Sequence, residues 1–436
     1  MHICGSSRLV AISHPEDKQV SETMTRTNSV YVFYHFFPPD DVVSAMHFGD
    51  LCSGLAEQEW RVVAFPSIWG CRNESSRYPA RETWRSTIVR RLWRPRFRQA
   101  STFGRIVNAT WMIANWSLLS LKRGISTPDV LIIGSDPVMS ILVAAIWKLV
   151  RPRTKIVYWC FDLYPEAAIA DGIFGRESFA ARILRRVLRP AYRACSVIAD
   201  IGPCMRQLLL QYPSDARRLT MVPWALSEPT SPLPIARAER EHVFGETPLA
   251  ILYSGSFGRA HSCGEILDLA QIMESEGAKL AFSVSGNRVE ELHAAVQARE
   301  LDVRFVPFAP LDELSDRLAC ADVHVVALRP EWTGTVVPSK FFGTLAVGRP
   351  VLFAGSEESS VARWIREFEI GWVLSSDNLS QVASELMQYA AQPTRQIAMQ
   401  RNCFDVYHRE FSKEIQLRNW NVLLLSVLKA SGSVGR

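Results

Sequence analysis

The sequence lacks the features that mark a metalloprotein, a disulfide-bonded scaffold or a membrane-spanning protein. Its nine cysteines are scattered without a Cys-x-x-Cys pair, which predicts reduced structural thiols and no zinc site. The longest apolar run, residues 138–150, contains Lys148 and is too short to cross a bilayer. Residues 1–28 show no signal peptide and are predicted to form a disordered extension. We expect a cytoplasmic protein without a metal or a cofactor.

The composition is that of an ordinary globular protein, with 48% hydrophobic and 21% charged residues. A chain of 436 residues is too long for one compact core, which favours two domains. Two successive series of alternating strand and helix patterns begin at Val30 and at Ala250. The predicted fold class is therefore α/β, with two Rossmann-like, doubly wound parallel-sheet domains that face each other across a cleft.

The same patterns give the domain boundaries. Residues 29–225 are predicted to form an N-terminal domain, 226–248 a linker that opens with many Pro, Ser and Glu residues, and 249–403 a C-terminal domain. Residues 404–436 are predicted to form a helix that packs back across both domains. Because such sheets bind ligands beyond the carboxyl ends of their strands, we expect a site in the cleft.

A turn that contains two glycines follows the first strand of the second series. It reads Tyr253-Ser254-Gly255-Ser256-Phe257-Gly258-Arg259-Ala260-His261. Glycines let backbone N–H groups approach a phosphate, and Arg259 offers a forked cation that suits a diphosphate. The alternative is a tight strand-to-helix turn with a solvent-facing arginine.

A second candidate anion site lies at Pro338-Ser339-Lys340, where a loop enters a helix that ends at Gly348. Ser339 and the first-turn amides can hold an anion, and Lys340 can reach it. The alternative is a capped helix with Lys340 in solvent.

Acidic residues follow two strands of the first series. Asp162 and Glu166 come after one buried strand, where they are candidates to orient an acceptor hydroxyl or to take up its proton. Asp40, Asp41 and Ser44 come after the first strand and are candidate contacts in the cleft. In both places the alternative is a helix cap.

A basic strip runs from Arg81 to Arg105, with eight arginines against one acid, Glu82, and interleaved aromatic residues. Such a strip can lie on an anionic leaflet, and the arginine-rich segment 182–193 can extend it. No recognised nucleic-acid module surrounds it, so a nucleic-acid partner is not expected. The alternative is a solvated loop.

An ordered series of motifs carries a resemblance to a known family. The series is Pro38-Pro39, Asp162-Leu163-Tyr164-Pro165-Glu166, Tyr253-Ser254-Gly255-Ser256-Phe257-Gly258, Gly286-Asn287-Arg288, Ala321-Asp322, Pro338-Ser339-Lys340 and Gly348-Arg349-Pro350. It resembles family-four retaining glycosyltransferases of the GT-B fold, above all the bacterial exopolysaccharide and O-antigen enzymes of the kind that act in colanic acid synthesis. The likeness covers residues 30–420.

The resemblance implies a hexosyltransferase-type enzyme of polysaccharide or lipopolysaccharide synthesis, peripheral on the inner face of the plasma membrane. It would move a sugar with retention from a nucleoside-diphosphate sugar to a saccharide or polyprenyl-linked saccharide. The implied catalytic residues are Asp162, Glu166, Arg259 and Lys340. The implied donor-binding residues are Gly255, Ser256, Phe257, Gly258, Arg259, His261, Gly286, Asn287, Arg288, Pro338, Ser339 and Lys340, with residues 305–308 beside the nucleoside. Asp40, Asp41 and Ser44 would face the acceptor.

The chain departs from the family pattern at several positions. The usual glycine pair after the first strand is replaced by Asp40-Asp41-Val42-Val43, and Arg259 and Lys340 stand at shifted places. Many members carry two glutamates where this sequence has Thr335 and Gly343. That departure motivates an alternative, a degenerate transferase that serves as a non-catalytic scaffold. A nucleotide-sugar 2-epimerase is a further alternative, with His261 and Glu265 as its acid–base pair. A dinucleotide-dependent oxidoreductase is least favoured, because no Gly-x-Gly-x-x-Gly follows the first strand.

Overall fold

The computed structural model describes residues 27–40, 42–71, 73, 75–99 and 101–430. The first sheet is built from β1 (Ser29–Phe33), β2 (Arg61–Ala64), β3 (Arg81–Trp84), β4 (Thr87–Arg90), β5 (Val130–Gly134), β6 (Lys155–Trp159), β7 (Val197–Asp200) and β8 (Arg217–Thr220). Its strand order is β3-β4-β2-β1-β5-β6-β7-β8, and only β3 and β4 pair in antiparallel fashion among these strands. Its helices are α1 (Val43–Glu57), α2 (Thr102–Leu121), α3 (Leu142–Val150), α4 (Glu166–Ala170), α5 (Phe179–Ala194) and α6 (Pro203–Leu209).

The second sheet is built from β9 (Ala250–Ser256), β10 (Lys279–Ser285), β11 (Val303–Val306), β12 (Val323–Leu328), β13 (Val351–Gly355) and β14 (Gly371–Leu374), all parallel, in the order β11-β10-β9-β12-β13-β14. The remaining helices are α7 (Arg237–Phe244), α8 (Gly264–Met273), α9 (Val289–Gln297), α10 (Leu314–Ala319), α11 (Lys340–Ala346), α12 (Ser360–Phe368), α13 (Leu379–Ala390), α14 (Pro393–Val406) and α15 (Lys413–Lys429). The prediction of two doubly wound α/β domains is confirmed.

Local sequence explains these elements. Every residue of β5 and of β12 is buried, as expected for parallel strands covered by helices on both faces. Three helices begin at serine caps: the side chains of Ser101, Ser178 and Ser359 accept backbone N–H groups in the first turns of α2, α5 and α12. The segment between the sheets, predicted as a linker over 226–248, contains α7.

The C-terminal segment differs from the single helix predicted for 404–436. Residue 404 lies inside α14, and a π-helical turn, Tyr407–Phe411, redirects the chain into α15. In that turn Phe411 packs against Trp364 of the second domain, whereas Trp420 of α15 packs against Trp159 of the first, with ring centroids 5.0 Å apart. Apolar spacing alone does not reveal the extra residue of a π turn. Residues 431–436 lie outside the described part of the chain, as do residues 1–26 of the predicted extension.

Side-chain and backbone contacts join the two domains directly. The backbone N–H of Leu163 donates to the carbonyl of Thr335 over 3.0 Å, and the Cys204 Sγ lies 2.8 Å from the Ser360 Oγ. One apolar core cluster also runs through both domains. These contacts fix the relative position of the two sheets and hence the shape of the cleft between them.

The basic strip of residues 81–105 is mainly an edge hairpin, β3 and β4, and the start of α2. Arg91 is buried, pairs with Glu82 and donates to the Pro38 carbonyl over 2.9 Å. Arg94 is fully buried, and its Nε donates to the Ser67 Oγ over 3.0 Å. These two arginines therefore support the sheet edge and are not available to an anionic surface. Over the described residues, every helix is too short or too polar to cross a membrane.

Candidate active site

A cavity of about 490 Å³ lies between the carboxyl ends of the two sheets. The first domain contributes Val43 and Asp162, and residues 224–227 form the adjoining wall. The second domain contributes the loop that follows β9 and the start of α11. The predicted anion loop and the predicted Pro-Ser-Lys motif therefore meet in one place, because both follow strands whose carboxyl ends point into the cleft.

Lys340 is held against the carboxyl end of β9. Its Nζ donates to the Tyr253 hydroxyl over 2.5 Å and to the Ser256 carbonyl over 3.1 Å, and it lies 3.9 Å from the centre of the Tyr253 ring. Burial lowers the pKa of Lys340 to about 7. Its contacts are to neutral groups, so an anion that enters the cavity would be the first full charge to balance this ammonium. Such a charge would raise its pKa.

Gly255 makes this arrangement sterically available. Its φ is +131°, a conformation that favours glycine, and a Cβ there would lie 3.2 Å from the Cε of Lys340. The lysine stem therefore lies along the backbone at the end of β9. Ser256 and Gly258 also line the cavity.

His261 lies at the end of the same loop and lines the cavity. Its Nδ1 accepts the Gly258 backbone N–H over 3.0 Å, which places the ring proton on Nε2. Burial, with the nearby Lys340 charge, lowers the pKa of His261 to about 3. The residue is thus a neutral hydrogen-bond donor. Glu265, its partner in the epimerase alternative, instead accepts a hydrogen bond from Ser262 and is absent from the cavity lining.

Arg259 lines the cavity but is paired across the cleft. Its guanidinium forms an ion pair with Asp171, which follows α4 in the first domain. The side chain of Arg259 is 58% exposed and that of Asp171 is 13% exposed. The arginine is thus at the predicted place, and its charge is met by a carboxylate of the opposite domain.

Asp162 is the acidic group that the first domain presents to the cavity. The Ser135 hydroxyl, at the end of β5, accepts the backbone N–H groups of Phe161 and Asp162, both over 3.1 Å, and so orients this loop. Surrounding protein atoms, and then the charge of Asp136, raise the pKa of Asp162 to about 6. The side chain nevertheless remains open to the cavity.

Glu166 lies elsewhere, contrary to its predicted place beside Asp162. It is 6% exposed, and its carboxylate accepts hydrogen bonds from the Arg185 Nε over 3.0 Å and from the Tyr212 hydroxyl over 2.8 Å. It is the first residue of α4, so its direction is set by that short helix and not by the preceding strand. The predicted catalytic role of Glu166 is therefore corrected to a structural one: its carboxylate joins α4 to α5.

The predicted acceptor side is corrected in the same way. Asp40 is buried, and its carboxylate accepts the Cys71 backbone N–H over 2.8 Å. The Ser44 hydroxyl bonds to Tyr34, and its neighbour Val43 lines the cavity in its place. Asp41 lies outside the described residues.

Four further donor-site predictions fall on residues behind the cavity wall. The φ of Gly286 is +138°, and the backbone N–H of Phe257 donates to the Ser285 carbonyl over 2.7 Å. This hydrogen bond joins the loop after β9 to the end of β10. Phe257 itself is 2% exposed, Asn287 is absent from the central lining, and Arg288 lines a neighbouring cavity of about 220 Å³ that it shares with His261. Gly286, Asn287, Arg288 and the Phe257 side chain thus support the loop rather than line the main cavity.

The start of α11 is open to the cavity. Pro338 and Ser339 line it, and the Ser339 hydroxyl makes no capping hydrogen bond. At the two positions where the family pattern has glutamates, Thr335 is buried with its hydroxyl bonded to the Trp332 carbonyl, and Gly343 lines the cavity. A Cβ at Gly343 would meet only Leu318, at 3.7 Å, so the missing side chain leaves open space.

Several residues at the cavity were not predicted as site residues from the sequence. Trp224 and Trp332 line the cavity, and Tyr253 holds Lys340. Trp224 follows β8 and Trp332 follows β12, so the general rule about carboxyl ends could have found both. Phe308, from the segment predicted beside the nucleoside, also lines the cavity. Within the described residues no cluster of His, Cys, Asp and Glu has an arrangement that could hold a metal ion.

Comparison with solved structures identifies the fold. Sucrose-phosphate synthase from Thermosynechococcus elongatus superimposes with a TM-score of 0.68 and 15% identity, over 93% of this chain and 100% of that one. Anabaena HepE, solved in complex with UDP and glucose, gives a TM-score of 0.65 and 13% identity, over 92% and 100%. The chain has the GT-B fold. WaaG, described as a glycosyltransferase involved in lipopolysaccharide biosynthesis, shares the GT-B fold with a TM-score of 0.61 and 15% identity, over 90% and 99%.

A sequence relative agrees with this fold. The chain is 27% identical over 247 residues to a protein of Pseudomonas aeruginosa named probable glycosyltransferase WbjE. The match spans 56% of this GT-B chain and 62% of the relative, less than two thirds of its length. No protein-family model matches the chain.

Proposed function

We propose that this protein is a glycosyltransferase that binds a nucleoside-diphosphate sugar in the central cavity and transfers the sugar to a saccharide acceptor in cell-surface polysaccharide synthesis. The observation that carries the proposal is the position of Lys340. It is held by neutral groups in a cavity between two Rossmann-like sheets, with Arg259 beside the same opening. The relative named as a probable glycosyltransferase supports the same class of reaction.

The cavity groups suit the departure of a nucleoside diphosphate. When the bond between the sugar C1 and the diphosphate oxygen breaks, negative charge grows on the leaving oxygens. Cations in a site that excludes water stabilise that charge more than they stabilise the bound donor. In this proposal Lys340 and Arg259 would do so, and the Nε2–H of His261 would donate to the sugar or the phosphate. We therefore propose that no metal ion is needed, so turnover should persist in the presence of EDTA.

The acceptor is proposed to approach from the first domain, past Asp162. The new bond forms between its hydroxyl oxygen and the sugar C1 on the face that the diphosphate leaves, and its proton passes to the departing diphosphate. This route retains the anomeric configuration without a protein nucleophile. Asp162, when ionised, would accept a hydrogen bond from the hydroxyl and orient it. We further propose that the acceptor is a lipid-linked saccharide at the inner membrane surface.

A donor panel tests the proposal. The full chain would be titrated calorimetrically with UDP-, GDP- and dTDP-sugars, beginning with UDP-glucose because HepE was solved with that ligand and has the same fold. We expect one nucleotide class to bind and to raise the melting temperature. Lys340→Ala should weaken that binding about 10–100-fold, the loss of one charge-assisted contact. Lys413→Ala, an exposed lysine outside the cavity, is the matched control. A folded protein that binds none of the donors would overturn the proposal.

Product analysis separates the transferase from its alternatives. Retention predicts, by NMR, the same anomeric configuration in the product as in the donor. An epimerase would convert the donor without any acceptor. A scaffold would support polysaccharide synthesis in cells when Lys340→Ala replaces the wild type, whereas we expect that variant to abolish it.

A further inference from the structure

Three helices form one outer layer on the first sheet. α2 joins β4 to β5, α3 joins β5 to β6 and α5 joins β6 to β7, each crossing the sheet in the same direction between parallel strands. Right-handed crossovers therefore place all three on the same face. They pack side by side in the order α2, α3, α5. We call their outer surface the α2–α3–α5 face.

The outer side of α2 carries exposed apolar side chains from its first turn to its last, together with the exposed Thr102, Arg105 and Thr110. The exposed residues recur at helical spacing, and most of each side chain is accessible for Phe103 (68%), Ile106 (60%), Leu118 (55%) and Leu121 (60%). The opposite side of the helix already supplies core residues such as Trp116. A helix that is apolar on both sides requires a second apolar or interfacial contact, because large exposed patches of this kind mark interaction surfaces.

The apolar surface extends beyond α2. Before the helix, the exposed Trp93 ring packs edge-on against Trp111 with centroids 5.2 Å apart, and the Trp111 Nε1 donates to the Trp93 carbonyl over 3.1 Å. On α3, Leu149 is 85% exposed. On α5, Phe179 is 74% exposed and Val187 51%. Exposed apolar side chains thus occur on all three helices.

The charge on this face has a single sign. The three helices contain seven Arg or Lys residues and no Asp or Glu, whereas the excess of the entire chain is five. On α5 the exposed arginines are interleaved with the exposed apolar side chains; they are Arg182, Arg186, Arg189 and Arg193. In the described part of the chain none of these four has an acidic partner within ion-pair distance. The sequence between Glu82 and Asp129 also contains no acid.

We propose that the α2–α3–α5 face docks on an anionic lipid bilayer. Arginines at the rim would meet lipid phosphates, while the tryptophan, phenylalanine and leucine side chains enter the headgroup boundary. A second copy of this chain fits less well, since a two-fold contact would oppose the four exposed arginines of α5 with the same four arginines of the other copy. A nucleic acid fits less well because it would leave the central leucines against a polar backbone. This docking rests on the proposed function in one respect, since it would bring the enzyme to its lipid-linked acceptor. The docking itself requires no donor or acceptor.

Vesicle sedimentation with the full chain, without nucleotide, tests the proposal. We expect binding to vesicles of phosphatidylcholine with phosphatidylglycerol, little binding to phosphatidylcholine alone, and partial loss of binding as salt rises. Arg186→Gln combined with Arg189→Gln should lower the partition coefficient about 25-fold, roughly fivefold for each charge near the surface. Leu149→Ser combined with Phe179→Ser should lower it roughly tenfold or more.

Matched controls on the second domain distinguish docking from general surface effects. Ile397→Ser removes an exposed apolar side chain and Arg401→Gln an exposed arginine, and neither should change the partition coefficient. Folded wild type that ignores anionic vesicles would overturn the proposal, as would equal losses in the face and control variants. A dimer in solution that the face variants abolish would assign the face to a second copy instead. Nucleotide-sugar binding is measured on the same samples, so failure of docking and failure of the transferase proposal remain separate results.

Discussion

At Lys340, burial opposes the charge that the proposed reaction needs. With its pKa near 7, the ammonium is present below neutral pH and is lost as pH rises through about 7. A diphosphate would favour the protonated form, so binding above pH 7 requires the uptake of a proton. We therefore predict that nucleotide affinity, measured by calorimetry, falls up to tenfold per pH unit above pH 7. Lys340→Arg should flatten this dependence, because a guanidinium stays charged. Unchanged pH dependence in that variant would exclude Lys340 as its source.

Asp162 is expected to limit activity at acidic pH, whereas Lys340 limits binding at alkaline pH. Its pKa of about 6 means that the carboxylate is ionised above pH 6 and protonated below it. If the ionised form orients the acceptor, kcat/KM falls as pH drops through 6. We predict that Asp162→Asn lowers kcat about a hundredfold while donor affinity is retained. The variant should also lose the fall of kcat/KM below pH 6, which is the acidic limb of the pH profile.

Asp136 provides the matched control for that prediction. It lies outside the cavity lining, and its charge contributes to the raised pKa of Asp162. Asp136→Asn should therefore shift the acidic limb to lower pH and leave its depth unchanged. A limb that does not move would show that another group titrates there.

Individual site residues were predictable where the backbone direction alone places them. Arg259 follows β9 through a short turn and Lys340 begins α11 after β12, so both reach the cavity as expected. Glu166 and Asp40 were misplaced because their carboxylates have local partners, Arg185 and the Cys71 amide. Sequence spacing shows which carboxylates are near an edge, but not which of them is already bonded.

At the scale of elements, the loop after β9 depends on the loop after β10. A Cβ at Gly286 would lie 2.3 Å from the Phe257 carbonyl oxygen, and its φ is left-handed. We predict that Gly286→Ala lowers the free energy of unfolding by about 1–3 kcal/mol and also weakens nucleotide binding. Gly264→Ala is the control, since nothing lies within 4 Å of its Cβ at the start of α8. Thermal melts with and without nucleotide measure both effects, and equal behaviour of the two variants would contradict the argument.

Regular elements were predictable by their apolar periodicity, and irregular ones were not. The β3–β4 hairpin turns at Arg85 and Ser86, which adopt positive φ without the Asn-Gly or Asp-Gly sequence that usually marks such a turn. Its strands are short and rich in arginine, so they gave no signal of a sheet edge. The exposed apolar side of α2 was equally invisible, because a sequence pattern does not reveal which apolar residues the core leaves outside.

At the scale of the whole molecule, the alternation of strands and helices was enough to predict two sheets with a shared cleft, because parallel sheets need crossover helices. The ion pairs and hydrogen bonds across the cleft were not predictable, since they join residues far apart in the chain. The ion pair between Arg259 and Asp171 is such a contact, and it joins the two domains at the rim of the cavity. A diphosphate at this site would compete with Asp171 for the same guanidinium.

This competition gives a prediction about the coupling of the domains. Asp171→Asn removes the competing charge with little change of shape, so donor affinity should rise about two- to fivefold, the range of an exposed ion pair. In an Arg259→Ala background the same substitution should have no effect, because the competition no longer exists. Glu358→Gln, which breaks an exposed pair with Arg363 outside the cavity lining, should leave affinity unchanged. Calorimetric titration of the wild type, Asp171→Asn, Arg259→Ala and the double variant completes this double-mutant cycle. A gain of affinity that persists without Arg259, or a loss with Asp171→Asn alone, would mean that the carboxylate acts on the ligand by another route.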